Sequence, residues 1–196
     1  VQDPSPPQRA EALVVGVVLA AGASRRMGHP KALLLLRNRP LILHHLDALA
    51  TCCQQLVVVS GAHHDEIAAV LPPDVQHLYN DRWAHTKGRE SLRIALAGLP
   101  ADAMVLISPV DTAPVRPTVA AALLAAGPPA VPTWAGEDGH PVLGRVADLR
   151  VGLGTGTLRD ALATAGRVAV DDPDVLVNLN HPHTWRAWRS RHEMLP

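Results

Sequence analysis

Arg25, Arg26 and Lys31 follow directly on a loop of side chains too small to shield the backbone, Ala20-Ala21-Gly22-Ala23-Ser24. Backbone N–H groups in such a loop can face an anion, and Gly22 and Gly28 can take left-handed turns there. The two guanidinium groups and the ammonium add fixed positive charge beside those amides. Together they suit a polyphosphate. Two common phosphate motifs are ruled out: five residues lie between Gly22 and Gly28, with Lys31 three further on, which is not a P-loop, and G-x-G-x-x-G is missing. A carboxylate of interest, Asp111, follows the strongly apolar run Ala103–Ser108. It can hold Mg²⁺ at the rim of a sheet, or act as an Asx-type turn acceptor ahead of Pro114.

Secondary structure must bring these groups together. The β-branched run 13–20 reads as a first strand that empties into the small-residue loop. Pro40 opens a helix to about Ala50, Gln55–Ser60 is a second strand, and Gly61-Ala62 turns it toward a short helix at about 64–71. Val75–Tyr79 is a third strand, a loop runs from Asn80 to Arg89, and a helix covers about 90–98. Next come a strand at 103–108 and an Ala/Leu helix at 117–126. A hairpin pairs 130–134 with 141–145 across Gly136-Glu137-Asp138-Gly139. Gly152, Gly154 and Gly156 read as a glycine-rich turn before a helix at 158–165, followed by a strand at 168–170 and a last helix from near His183. Strands apolar on both faces, alternating with helices, predict a three-layer α/β/α sandwich: a mostly parallel, Rossmann-like sheet with a late antiparallel hairpin. Ligands of such sheets bind beyond the carboxyl ends of the strands, where the loops after strands one to four converge.

The first loop resembles the signature of the MobA-like nucleotidyltransferases, L-A-[AG]-G-x-S-x-R-M-G-x-x-K, matched at Leu19, Ala20, Ala21, Gly22, Ser24, Arg26, Met27, Gly28 and Lys31. Asn80-Asp81-Arg82-Trp83 through Gly88 to Ser91-Leu92 is similar to that family's N-x-x-W-x-x-G-x-x-x-S-L, with one extra residue before Gly88. Val177-Asn178-Leu179-Asn180-His181-Pro182 resembles its N-x-N-T-P element, and Gly139-His140-Pro141-Val142 resembles the G-H-P-V of the molybdenum cofactor cytidylyltransferase branch. Two departures stand out. The proline after Asp111 comes one residue later than the family writes it, and Thr155 and Thr157 replace Asp and Gly in G-D-x-G-x-R, the element that ends at Arg159.

The resemblance implies transfer of a nucleotidyl group, CMP from CTP, to the phosphate of molybdopterin, with release of pyrophosphate. It implies Mg²⁺ as the cofactor, Mn²⁺ being the alternative ion. Arg26, Lys31 and Asp111 would be the catalytic groups. Leu19, Ala20, Ala21, Gly22, Ser24, Arg26, Lys31, Gly61, Gly88 and Ser91 would bind the nucleotide. Asn80, His140 and Arg159 would face the second substrate, and Asp111 and Asn180 the metal. Gly88 would let a base approach the backbone, and Ser91 at a helix start can cap the helix or donate to a base edge. Asn180 instead satisfies backbone groups before a helix on the plainer reading, and Trp83 reads as a loop anchor. Other readings keep the nucleotide but change the rest: transfer from GTP or another triphosphate, a sugar phosphate or other alcohol phosphate as acceptor, or a non-catalytic chaperone handing cofactor to a molybdoenzyme.

The bulk composition bounds the partners. The 196 residues suit one domain over 13–196 after a frayed tail at 1–12, where three prolines fall within seven residues. Zero net charge gives no field toward nucleic acid or an anionic membrane, and with no Phe and one Tyr there is little to stack on bases. No apolar run reaches the ~20 residues of a membrane span, and the start lacks the pattern of a signal peptide. Adjacent Cys52 and Cys53 disfavour an ordinary disulfide and read as reduced thiols on a helix, consistent with the cytoplasm. The pairs His44-His45 and His63-His64 lack zinc spacing and read as surface residues, and Asp171, Asp172 and Asp174 as a solvated turn able to substitute at the metal.

Overall fold

A computed structural model describes residues 12–193. All of the expected tail but its last residue lies outside that range. At the centre is β1 (Val14–Ala20), whose valines are buried on both faces. It is flanked in parallel by β4 (Gln55–Ser60) and β6 (Met104–Pro109). Between them the chain makes a two-strand ribbon, β2 (Leu35–Leu36) with β3 (Arg39–Pro40), then α1 (Leu41–Ala50). After β4 come α2 (His64–Ala68), β5 (Gln76–Tyr79) and α3 (Gly88–Ala97). After β6 come α4 (Pro117–Ala126), β7 (Ala130–Trp134), β8 (Glu137–Asp138) and β9 (Val142–Arg145). The remainder is α5 (Val146–Thr155), α6 (Leu158–Ala161), β10 (Gly166–Ala169) and α7 (Pro182–Glu193).

The main sheet runs β5-β4-β1-β6-β9-β7-β10, with β8 paired to β7. Only β9 and β8 run against the others. Alternation along β1 fills two cores: Val14, Val18 and Ala20 join Ile42 and Leu46 of α1 and Leu123 of α4, while Val15 and Val17 join Leu92 and Leu96 of α3 and Leu149 and Leu153 of α5. Helices thus cover both faces, the three-layer arrangement expected for strands with no polar side. Register brings Ala20 opposite Ser60, and Leu19 opposite Pro109, so the loops leaving β1, β4 and β6 emerge side by side.

Three local expectations are corrected. The glycine-rich turn at 152–156 is the end of α5, and a Cβ at Gly152 would lie 2.5 Å from Ala161 Cβ. The glycine there admits α6 rather than breaking the helix. The expected antiparallel pairing of 130–134 with 141–145 is present, Ala130 opposite Leu143, but the tight turn at Gly136 joins β7 to the intervening β8, and β9 goes on to lie between β7 and β6. The cysteines sit just past the end of α1 as free, half-buried thiols, and burial raises the Cys53 thiol far above its ordinary value. A third cluster, Leu36, Leu41, Ala113, Leu179, Trp185 and Trp188, ties the ribbon and α7 to the turn after β6. No helix among the described residues is long and apolar enough to cross a membrane.

Candidate functional site

The loop after β1 turns at Ser24 (φ 51°) and Gly28 (φ 71°), while Gly22 does not use a left-handed conformation, contrary to expectation. The Ser24 hydroxyl accepts from the backbone N–H of Lys31 at 3.0 Å, which folds the loop back on itself and brings the lysine under the small residues. From there the Lys31 ammonium donates to Asn180 Oδ1 and stands 3.6 Å from Asp111 Oδ2. Burial lowers the Lys31 pKa, an effect that Asp111 opposes. Arg26 donates from one guanidinium nitrogen to His181 Nε2 at 3.3 Å.

Asn180 reaches Asp111 across 69 residues of chain by backbone pairing. Leu179 N–H donates to Asp111 O at 2.7 Å, Ala113 N–H donates to Val177 O at 3.0 Å, and Thr112 bridges Asn178. The substitute carboxylate Asp172 is not solvated. It is buried, accepting from the N–H groups of Arg116 and Asp174 and pairing with the Arg116 guanidinium.

Across the loop lies a second wall. Asn80 is buried, its Nδ2 donating to Thr86 Oγ1 at 3.1 Å and to Ser91 Oγ at 3.0 Å, while its Oδ1 accepts from Arg82 N–H at 3.1 Å. All its hydrogen-bonding capacity except one lone pair is spent inside its own loop. Helix α3 starts at Gly88 with Lys87 in the cap position, so Ser91 does not cap it; Ser91 is buried one turn further in. Arg89 donates to Gly156 O at 3.2 Å and closes this wall onto the α5–α6 turn. Gly61 joins the walls: a Cβ there would lie 2.5 Å from Ala21 O and 2.6 Å from Trp83 Cβ. Any larger residue would force the two loops apart.

Two adjoining cavities result. One of about 360 Å³ is lined by Gly22 to Met27, Lys31, Trp83, Ala84 and Asn180. The other, about 390 Å³, is bounded by Leu19, Ala21, Gly22, Ser24, Lys31, Asn80, Gly88, Ser91, Asp111 and, from the far helix, Leu158. Ala20 packs into the core beneath. The second-substrate candidates are less gathered. His140 is largely buried with an unpartnered Nδ1, its pKa lowered by burial against the pull of Asp111, and exposed Arg159 lies near the charges of Asp138 and Asp160. Neither lines either of these two cavities. Arg89, Leu158 and His181 line or brace the site without any signal in the sequence beyond their neighbours in the motifs.

The oxygens fit a divalent cation. Asp111 and Asn180 already converge on one positive charge, the Lys31 ammonium, and among the described residues no cluster of three or more His, Cys, Asp or Glu offers another metal site. One carboxylate with a neutral oxygen is the set that Mg²⁺ or Mn²⁺ completes with substrate phosphates and water.

Known proteins share this architecture. The model of the MobA-like NTP transferase domain matches residues 16–172. A probable molybdenum cofactor guanylyltransferase of Rhodopirellula baltica is 42% identical over 80 residues, 40% of this chain and 38% of that protein. Another from Pyrococcus horikoshii is 38% identical over 56 residues, 28% of this chain and 29% of its own length. The chain thus spans well under half the length of these curated relatives. Among solved structures, a homologue in Mycobacterium sp. strain JC1 of a Mycobacterium tuberculosis protein superposes with a TM-score of 0.78 at 26% identity, covering 91% of this chain and 96% of that one. The M. tuberculosis protein itself, solved in complex with manganese, gives 0.74 at 24% identity over 91% and 99% of the two chains.

Proposed function

The chain belongs to the MobA-like NTP transferase family, and on that premise we propose that it transfers a nucleotidyl group from a nucleoside triphosphate to the phosphate of a molybdopterin-type acceptor, releasing pyrophosphate. The observation that carries this reading is the convergence of Lys31, Asp111 and Asn180 at the rim of a small-residue loop. The triphosphate lies along 21–26, with Arg26 and Lys31 neutralising it. To reach it, Lys31 leaves Asn180 for the phosphates, and Asp111 and Asn180 are then free to hold the cation. A Mg²⁺ or Mn²⁺ ion held there would supply neutralisation of phosphate charge. An oxygen of the acceptor phosphate attacks the α-phosphorus, the bond to the bridging oxygen breaks, and pyrophosphate departs with the electron pair. No protein nucleophile is needed; positioning and charge carry the rate.

The base lies in the 390 Å³ cavity, between Leu19 and Ala21 on one side and Gly88 and Ser91 on the other. The family resemblance favours CTP as the nucleotidyl donor, since Ala-Ala-Gly, as at 20–22, leans toward cytidine where Ala-Gly-Gly leans toward guanosine, and the His140 element points the same way. The names of the curated relatives, guanylyltransferases, favour GTP as the second reading. On this reading His140 and Arg159 serve the acceptor, the role the resemblance implies for them. The test is pyrophosphate release with CTP, GTP and ATP in turn, each with Mg²⁺ and molybdopterin, alongside a sugar phosphate arm. Turnover with CTP and molybdopterin is expected. Preference for GTP replaces the base assignment alone, turnover only with the sugar phosphate replaces the acceptor, and no release in any arm ends the proposal.

A further inference from the structure

His45, expected on the surface, is 1% exposed, and it stands under the turn that carries Asp111. Its helix, α1, sends Ile42, Leu46 and Leu49 into the same core layer as Leu106 and Val110, so an aliphatic residue at 45 would suit that layer at no polar cost. Instead the imidazole meets Ser108 Oγ through Nδ1 at 2.9 Å, and Ser108 is itself buried in β6, three residues before Asp111. The other nitrogen, Nε2, is buried without a hydrogen-bond partner, and the backbone of Thr112 is the polar group that faces the ring. Burial pushes the imidazole down to about 4, so the ring is neutral near pH 7. The acceptor at Thr112 assigns the single ring proton to Nε2, on the side away from Ser108, and Nδ1 then accepts from the Ser108 hydroxyl.

The imidazole therefore spans the Asp111 turn, with one nitrogen fixed where the turn begins and a donor waiting where it ends. The other supports of the turn come from different directions: Val110 N–H donates to Leu19 O, Thr112 N–H donates to Pro109 O, and Leu179 N–H donates to Asp111 O. We propose that His45 is a positioning residue for Asp111, anchored by Ser108 and donating a hydrogen bond from Nε2–H to the Thr112 carbonyl when a cation seats on the Asp111 carboxylate. The inference rests on the reading of Asp111 as a cation ligand. Residues that orient ligands in this way commonly change metal affinity by about 10–100-fold when removed.

The experiment titrates the full chain with Mn²⁺ alone, reads free ion by electron paramagnetic resonance, and follows thermal unfolding of each variant beside it. His45→Phe keeps an aromatic ring and removes both nitrogens; His45→Gln keeps an amide donor; Ser108→Ala removes the anchor; Asp111→Asn tests the underlying reading. His45→Phe is expected to weaken Mn²⁺ binding about tenfold without lowering the melting temperature, His45→Gln to recover most of that loss, and Ser108→Ala to fall between them. Unchanged Mn²⁺ affinity in His45→Phe, with binding lost in Asp111→Asn, overturns the role of His45 and leaves the cation reading standing. Unchanged affinity in Asp111→Asn overturns the cation reading itself. Equal loss of affinity and melting temperature in His45→Phe and His45→Gln makes the residue merely structural and also overturns the proposal.

Discussion

The two walls of the site are built on opposite principles. The wall formed by 80–91 is satisfied from within: Asn80 holds Thr86, Ser91 and the Arg82 backbone, and would be as well bonded with the cavity empty as with it full. In the wall formed by 21–31, Asp111, Asn180 and His181, the bonded charged groups lean on one another. Lys31 leans on Asn180 and Asp111, and Arg26 on His181, which are contacts that a polyphosphate and a cation can exchange for stronger ones. A preformed wall gives shape at no ordering cost on binding, while the exchangeable wall is where binding energy reaches the reacting groups. The contrast predicts that damage to the first appears as lost stability and damage to the second as lost rate.

The largest effect should come from Asp111→Asn. Pyrophosphate release is expected to fall about 10²–10³-fold, the scale of losing one preorganised electrostatic contact, with the melting temperature nearly unchanged. Near-normal turnover would place the chemistry elsewhere and erase the distinction between the walls. Next in size is a pH effect under the exchangeable wall. His45 titrates at about 4 in the folded chain against 6.5 unfolded. Between those values the unfolded state binds the extra proton, so stability rises with pH there. The contribution is whole above about pH 6.5 and lost as pH falls to about 4, amounting to about 3 kcal/mol at the acid limit. Urea unfolding of the wild type and His45→Phe across that window should show a steeper slope in the wild type, the slope left in His45→Phe coming from groups such as His77 and His140, whose pKa values burial also lowers.

Asn80→Ala sharpens the comparison from the other side. It strands the Ser91 hydroxyl and the Arg82 N–H, and should cost about 1–3 kcal/mol in urea unfolding. The rate at saturating nucleotide should hold, the loss appearing in KM; a fall in kcat matching that of Asp111→Asn would contradict the division. The smallest effect is expected for Arg89→Ala, whose bond to Gly156 O is exposed. Stability should move by no more than about 0.5 kcal/mol, with a few-fold rise in the nucleotide KM as the far edge of the cavity loosens. A large loss of stability there would mean that the α5–α6 turn is part of the rigid wall.

How much was legible beforehand depended on distance along the chain. Strands at 55–60 and the helix at 117–126 appear where their apolar spacing predicts them, because burial on one or two faces is a property of the local pattern. The small-residue loop after β1 was legible for the same reason. Gly152 was misread because its purpose, room for Ala161, is a contact between helices that looks locally like a helix breaker. His45 was misread because nothing in LILHHLDALA says which of two adjacent histidines points at Ser108, 63 residues away.

By itself, the sequence determined the α/β class, the strand that ends in bare amides, and the presence of cations and a carboxylate suited to phosphate chemistry, since residue type and spacing are enough for each of these. Only the tertiary structure decided that Asn180 stands beside Lys31 and Asp111, that Asn80 is consumed within its own loop, and that a buried imidazole lies beneath the Asp111 turn. Those are facts about approach between segments remote in the chain. They are fixed by sheet register and by the packing of Leu36, Leu179 and Trp188 against the turn after β6, which no short stretch of sequence encodes.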